Sequence, residues 1–100
     1  PLAEKYIKLN PHDTDFLLYL AFAHKQRRNF ELACDFSERL RLRDPRNFKN
    51  LMLLYEIYMH MKNIKKSESI LSQLDEISPN NAKVSKLKYF WKKMAATAEV

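Results

Sequence analysis

Landmarks that recur with one fixed period constrain the fold of this chain more than any other feature. Pro11, Pro45 and Pro79 are evenly spaced, since 45 − 11 and 79 − 45 both equal 34, and each follows a small polar residue. Asn29 and Asn63, which lie between these prolines, share the same spacing. Several landmarks with one period indicate a repeat protein, in which each unit buries its apolar face against its neighbours.

The composition favours helices and excludes several classes of site. The 100 residues include no Gly, and 46% of them are hydrophobic. β-Hairpins usually need Gly at their turns, so strands are disfavoured. Rossmann fingerprints, P-loops and nucleophile elbows require Gly as well. We therefore expect one all-α domain that binds no cofactor.

The apolar spacing between the landmarks predicts about six helical segments. A tail over residues 1–9 stops at Asn10-Pro11, and the following helices end near Arg27, Leu42, Met61, Pro79 and Ala98. Asp13 and Asn81 are expected to cap helices, and Asn29 to tolerate the left-handed conformation of a tight turn. The predicted core stripes are Phe16, Leu17, Leu20, Ala21 and His24; Phe30, Ala33, Cys34, Ser37 and Leu40; Leu51, Leu54, Tyr55 and Tyr58; Ile64, Ser67, Leu71, Leu74 and Ile77; and Val84, Leu87, Trp91 and Met94.

These residues resemble the tetratricopeptide repeat (TPR) family, whose 34-residue helix–turn–helix carries W-x2-L-G-x2-Y, A-x3-F and P. Leu20, Ala33 and Pro45 match that pattern in residues 14–47, and Leu54, Tyr58 and Pro79 match it in residues 48–81. The family's Gly and Trp are missing, so the chain resembles a divergent member. The resemblance implies an α-solenoid, a right-handed stack of antiparallel helix pairs. Residues 1–13 would end a preceding repeat and residues 82–100 would form a lysine-rich capping helix, in a piece of a longer protein.

In this family the first helices of successive repeats line a concave groove. Asp15 and Leu53 fall on the matching positions, together with the residues we expect to bind a partner: Leu18, Tyr19, Phe22, Lys25, Lys49, Met52, Glu56, Met59, His60, Lys83 and Lys86. Leu18, Phe22, Met52, Leu53 and Met59 are apolar groups beyond those that stacking uses, and such patches usually indicate a partner unless a flanking repeat covers them. The family's clamp for chaperone C-termini is not expected, because Tyr19 and Leu53 stand where it needs Asn.

The resemblance thus implies a non-catalytic scaffold for protein–protein interaction, a chaperone-like adaptor whose protein or peptide ligand carries apolar and acidic groups. One alternative is a spacer or oligomerisation repeat in a larger solenoid or a secretion or assembly protein. Self-association would then use the chain ends or Leu32 and Phe36, unless a helix rotation buries Phe36. Nucleic-acid binding ranks lower, since it rests on the net charge of +6 alone.

Nothing in the sequence predicts catalysis. His12, His24 and His60 lie in different elements, and Cys34 is the single cysteine. Neither a metal site nor a nucleophile with a fixed base is therefore expected. The longest apolar run, residues 16–23, is too short to span a bilayer. We expect a cytoplasmic location, or the periplasm or another compartment if a signal segment precedes Pro1.

Overall fold

The computed structural model describes residues 13–98, with side chains as far as Met94. Every regular element in this part of the chain is an α-helix: α1 (Thr14–Gln26), α2 (Phe30–Arg43), α3 (Phe48–His60), α4 (Ile64–Ile77) and α5 (Ala82–Ala98). The all-α prediction is confirmed, and the predicted helix ends agree closely. The predicted tail over residues 1–9 and its stop at Asn10-Pro11 lie outside the described residues. Within residues 13–98, no helix has the length and apolar character needed to cross a membrane.

The starts of the first helices repeat with the same period as the sequence landmarks. Asp13, Asn47 and Asn81 each precede a helix, and each side-chain oxygen accepts the backbone N–H three residues on, at 3.0, 3.0 and 3.3 Å. Such N-caps satisfy donors that have no partner inside the helix. The predicted caps at Asp13 and Asn81 are confirmed, and local capping chemistry explains why α1, α3 and α5 begin where they do.

The turn inside each helix pair is a Schellman motif. The backbone N–H of Asn29 donates to the carbonyl of His24 at 2.8 Å, and that of Arg28 donates to Lys25 at 2.9 Å. Arg28 has the left-handed backbone, with φ of 64°, and Lys62 repeats it at 59°. The prediction for Asn29 was wrong: its φ is −89°, because the left-handed position comes one residue earlier.

The helices pack in chain order, with one additional contact between α1 and α3. Two clusters of buried side chains result. The first contains Leu17, Leu20, Ala21, Ala33, Phe36, Leu40, Leu53 and Ile57. The second contains Leu51, Leu54, Tyr55, Tyr58, Ile70, Leu71, Leu74 and Val84. Cys34 packs against both clusters, so that α2 joins the two helix pairs.

Most predicted core positions are buried or half-buried, and the errors follow from packing between helices. Leu53, Ile57 and Ile70 are buried although no stripe included them. α3 contacts α1, α2 and α4, so its apolar surface is wider than the stripe of a helix with one neighbour. Met94 was expected in the core but is 41% exposed, because α5 packs only on α4 in the described part of the chain.

Phe36 is buried, with 6% of its surface exposed, next to the fully buried Ser37. Its ring stacks on His24 at a centroid distance of 5.5 Å, and the guanidinium of Arg39 lies 5.5 Å from the ring centroid. Of the two readings left open for Phe36, the structure supports burial, so Leu32 alone is exposed and the two residues do not form a contact surface. Ser37 is buried as well, because Phe36 packs towards α1 and Ser37 towards α3.

Candidate binding groove

A groove of about 370 Å³ lies between the first helices of the two pairs. Asp15, Leu18, Tyr19 and Phe22 of α1 and Lys49 and Leu53 of α3 line it. Asp15 and Lys49 are the second residues of their helices, so both helices begin at the same end of the groove. The groove therefore contains four of the predicted partner-binding residues: Leu18, Tyr19, Phe22 and Lys49.

The groove has an apolar floor and two exposed aromatic walls. Leu53 is 8% exposed and packs in the first core cluster, and Leu18 is half-buried against it. Tyr19 and Phe22 are 59% and 49% exposed. The Tyr19 ring packs in a tilted arrangement against the Phe16 ring, with 5.8 Å between the ring centroids, and this contact supports the Tyr19 side chain. Leu53 was expected to be exposed, and this was wrong because the α1–α3 contact covers it.

Lys25 and Glu56 each lie three residues beyond a groove-lining residue, Phe22 on α1 and Leu53 on α3, and they form an ion pair. Lys25 Nζ lies 2.6 Å from Glu56 Oε2, and the Lys25 side chain is only 17% exposed. This ion pair joins α1 to α3. Since Glu56 is 46% exposed, the pair contributes about 0–1 kcal/mol. Lys25 was predicted to attract acidic ligand groups, but its charge is already paired within the protein.

His60 and the two methionines do not line the groove. The His60 ring stacks on Phe30 at 4.7 Å with 9° between the planes, near the turns inside the helix pairs. Met52 and Met59 are half-buried against the second core cluster. These three predicted binding residues therefore belong to packing around α3 rather than to the groove wall.

Lys83 and Lys86 are exposed on α5 and are not among the residues that line the groove. No Cα atom of α5 lies within 8 Å of a Cα atom of α3 in the described chain, whereas α1 and α3 do approach each other. Lys83 follows Lys49 by one repeat, so it occupies the equivalent helix position without the equivalent contact. Lys83 and Lys86 therefore do not line the groove, and their role in binding a partner stays a prediction.

A larger concavity of about 560 Å³ lies at the turns, lined by Arg28, Asn29, Phe30, Glu31, Leu32 and Met61. It is a weaker candidate because its main aromatic surface is already occupied. His60 stacks on the Phe30 ring, and the Arg28 guanidinium lies 5.5 Å from the same ring centroid. The groove between α1 and α3, in contrast, has two aromatic walls that are about half exposed.

The side chains whose chemistry could suggest a reactive site, Tyr58, Cys34 and Glu38, do not line the groove. Burial raises the pKa of the Tyr58 hydroxyl well above its usual range, and the neighbouring Cys34 and Glu38 raise it further. Tyr58 donates a hydrogen bond to Glu38, which also forms an ion pair with Arg41 at 2.6 Å. Between residues 13 and 94, no three His, Cys, Asp or Glu side chains converge as a metal site. Tyr58 thus remains protonated at neutral pH and joins α3 to α2.

No protein-family model matches this sequence, and no curated protein matches it.

Proposed function

We propose that this chain is a divergent TPR-like module, a right-handed stack of helix pairs that binds proteins and catalyses no reaction. Helix starts, caps and Schellman turns that recur with the period of the sequence landmarks support the family assignment. α5 carries Ser85 and Lys88 where α3 buries Leu51 and Leu54. Because this face of α5 is polar, α5 suits the role of a terminal capping helix that shields the repeat over residues 48–81 from solvent.

The ligand we propose is a peptide or helical segment that lies in the groove between α1 and α3. The exposed aromatic walls formed by Tyr19 and Phe22 are the observation that carries this proposal. Exposed apolar groups around a concavity favour a partner, and an amphipathic segment in a groove is a common mode of recognition. The packed contact between α1 and α3 fixes the two sides of the groove relative to each other before binding, which lowers the entropic cost of association.

Random-peptide phage display on the immobilised protein tests this proposal. Selected peptides should bind the double variant Tyr19→Ala/Phe22→Ala at least about 30-fold more weakly, since truncating interface anchors costs about 2 kcal/mol or more. Leu42→Ala is the matched control, because Leu42 lies on α2 and is 84% exposed. The proposal fails if no peptide is selected, or if both variants bind the peptides equally well. Circular dichroism should show the same helicity in all three proteins.

Self-association through α5 is a second candidate. Tyr89, Phe90 and Met94 are 57%, 61% and 41% exposed on this helix, and an apolar patch of this kind can join two copies. Sedimentation equilibrium should then show a dimer in the wild type and a monomer in Tyr89→Ser/Phe90→Ser. A wild type that stays monomeric at high concentration rules this candidate out.

A further inference from the structure

The two helices that line the groove contribute opposite charges, which are not paired with each other or with another described residue. Asp15 on α1 and Lys49 on α3 both line it, and both are exposed. Within the described residues, neither forms an ion pair with a protein group. Further along the same two helices, the charges of Lys25 and Glu56 are paired at 2.6 Å. The groove itself thus presents a carboxylate and an ammonium group to a ligand.

We infer that the groove selects an amphipathic segment with charges of both signs. An apolar side chain of the ligand contacts Tyr19 and Phe22, an acidic side chain faces Lys49, and a basic side chain faces Asp15. This inference rests on the proposed function and adds the ligand's charge pattern to it. Complementary charges at the rim of an interface mainly set specificity and orientation, while the apolar contacts supply the affinity.

Helix stability alone gives a competing explanation for the two charges, and matched variants separate it from recognition. Asp15 and Lys49 are the second residues of α1 and α3, where charge interacts with the helix dipole. Glu31 and Lys65 are the second residues of α2 and α4, are exposed and lie outside the groove. Glu31→Lys and Lys65→Glu therefore change the same helix position and the same net charge as Asp15→Lys and Lys49→Glu.

The experiment compares phage-display selections on the wild type, the two groove variants and the two controls. Wild-type peptides should carry an apolar anchor with one acidic and one basic neighbour. Lys49→Glu should remove the enrichment of acidic residues and Asp15→Lys that of basic residues, while the controls select as the wild type does. A wild-type peptide should bind Lys49→Glu about five-fold more weakly, the equivalent of about 1 kcal/mol, and replacing its acidic residue by the amide should abolish this difference.

Two negative results have different meanings. If the peptides depend on Tyr19 and Phe22 but the charge variants select as their controls do, the charge pattern is wrong and the proposed function stands. If no selected peptide depends on Tyr19 and Phe22, the proposed function itself is wrong, and the charge pattern falls with it.

Discussion

The contact between the two helix pairs includes a buried polar bridge whose energy can be measured. Ser37 Oγ on α2 donates to Asn50 Oδ1 on α3 at 2.7 Å, and Asn50 Nδ2 donates to the Ser37 backbone carbonyl at 3.0 Å. Both residues are fully buried. The equivalent positions one repeat later are Leu71 and Val84, which lie in the second core cluster. The same interface is therefore built once from a hydrogen-bonded pair and once from an apolar pair.

Removing both partners of this bridge should cost less than the sum of the two single removals. Ser37→Ala leaves the Asn50 carbonyl oxygen buried without its donor, which costs about 1–3 kcal/mol. Asn50→Val loses two hydrogen bonds of about 0.5–1.5 kcal/mol each, and burial of the Val methyl groups offsets part of that loss. In the double variant Ser37→Ala/Asn50→Val, neither side chain carries a polar atom that would be buried without a hydrogen-bond partner. We expect it to be more stable than the sum of the single effects predicts, by about 1 kcal/mol or more.

Urea unfolding followed by circular dichroism at 222 nm measures all four proteins of this cycle. A coupling of 1 kcal/mol corresponds to a difference of about 4–8 °C in Tm for a domain of this size. If the two single effects add to within about 0.5 kcal/mol, the side chains do not interact across the α2–α3 interface. The register that places Ser37 against Asn50 would then be wrong.

Three further predictions concern stability. Lys62→Gly should raise the free energy of unfolding by about 0.5 kcal/mol or more, because relief of the left-handed strain exceeds the extra entropy of the unfolded chain; loss of stability in urea unfolding would contradict this. Lys49→Glu and Lys65→Glu should each raise the free energy of unfolding by about 1 kcal/mol, because a negative charge at the start of a helix interacts favourably with the helix dipole. Unequal changes in Tm would show that Lys49 already has an ion-pair partner. Because burial raises the pKa of Tyr58, only the unfolded chain ionises this group just above pH 10, so stability should fall by up to about 1.4 kcal/mol per pH unit. Tyr58→Phe should reduce that alkaline slope, of which a part remains because burial also raises the pKa of Tyr55; an unchanged slope would refute the assignment.

The sequence predicted the helix boundaries well because short-range chemistry determines them. Asp13 and Asn81 cap helices through atoms three residues away, and Pro45 and Pro79 follow the residues where α2 and α4 end. None of these interactions depends on how the helices are arranged in space. A local pattern with a fixed period was therefore sufficient to find them.

The burial of individual side chains and the residues that line the groove were harder to predict, because both depend on which helices pack against each other. Leu53 became the groove floor through the α1–α3 contact, and Phe36 was covered by His24. Lys25, which the sequence predicted to bind a ligand, is paired with Glu56 across the two helices. Asn50, which no periodic stripe included, is recognisable only as the partner of Ser37 across two helices.

Nuclear magnetic resonance with a peptide selected on the wild-type protein tests the binding groove most directly. Titration into the ¹⁵N-labelled protein should shift the amide signals of Leu18, Tyr19 and Phe22 on α1 and of Lys49 and Leu53 on α3 more than any others. The binding groove would be contradicted if the largest shifts occurred around Arg28–Leu32 and Met61, where the larger concavity lies. Shifts spread over α2 and α4 would contradict it as well.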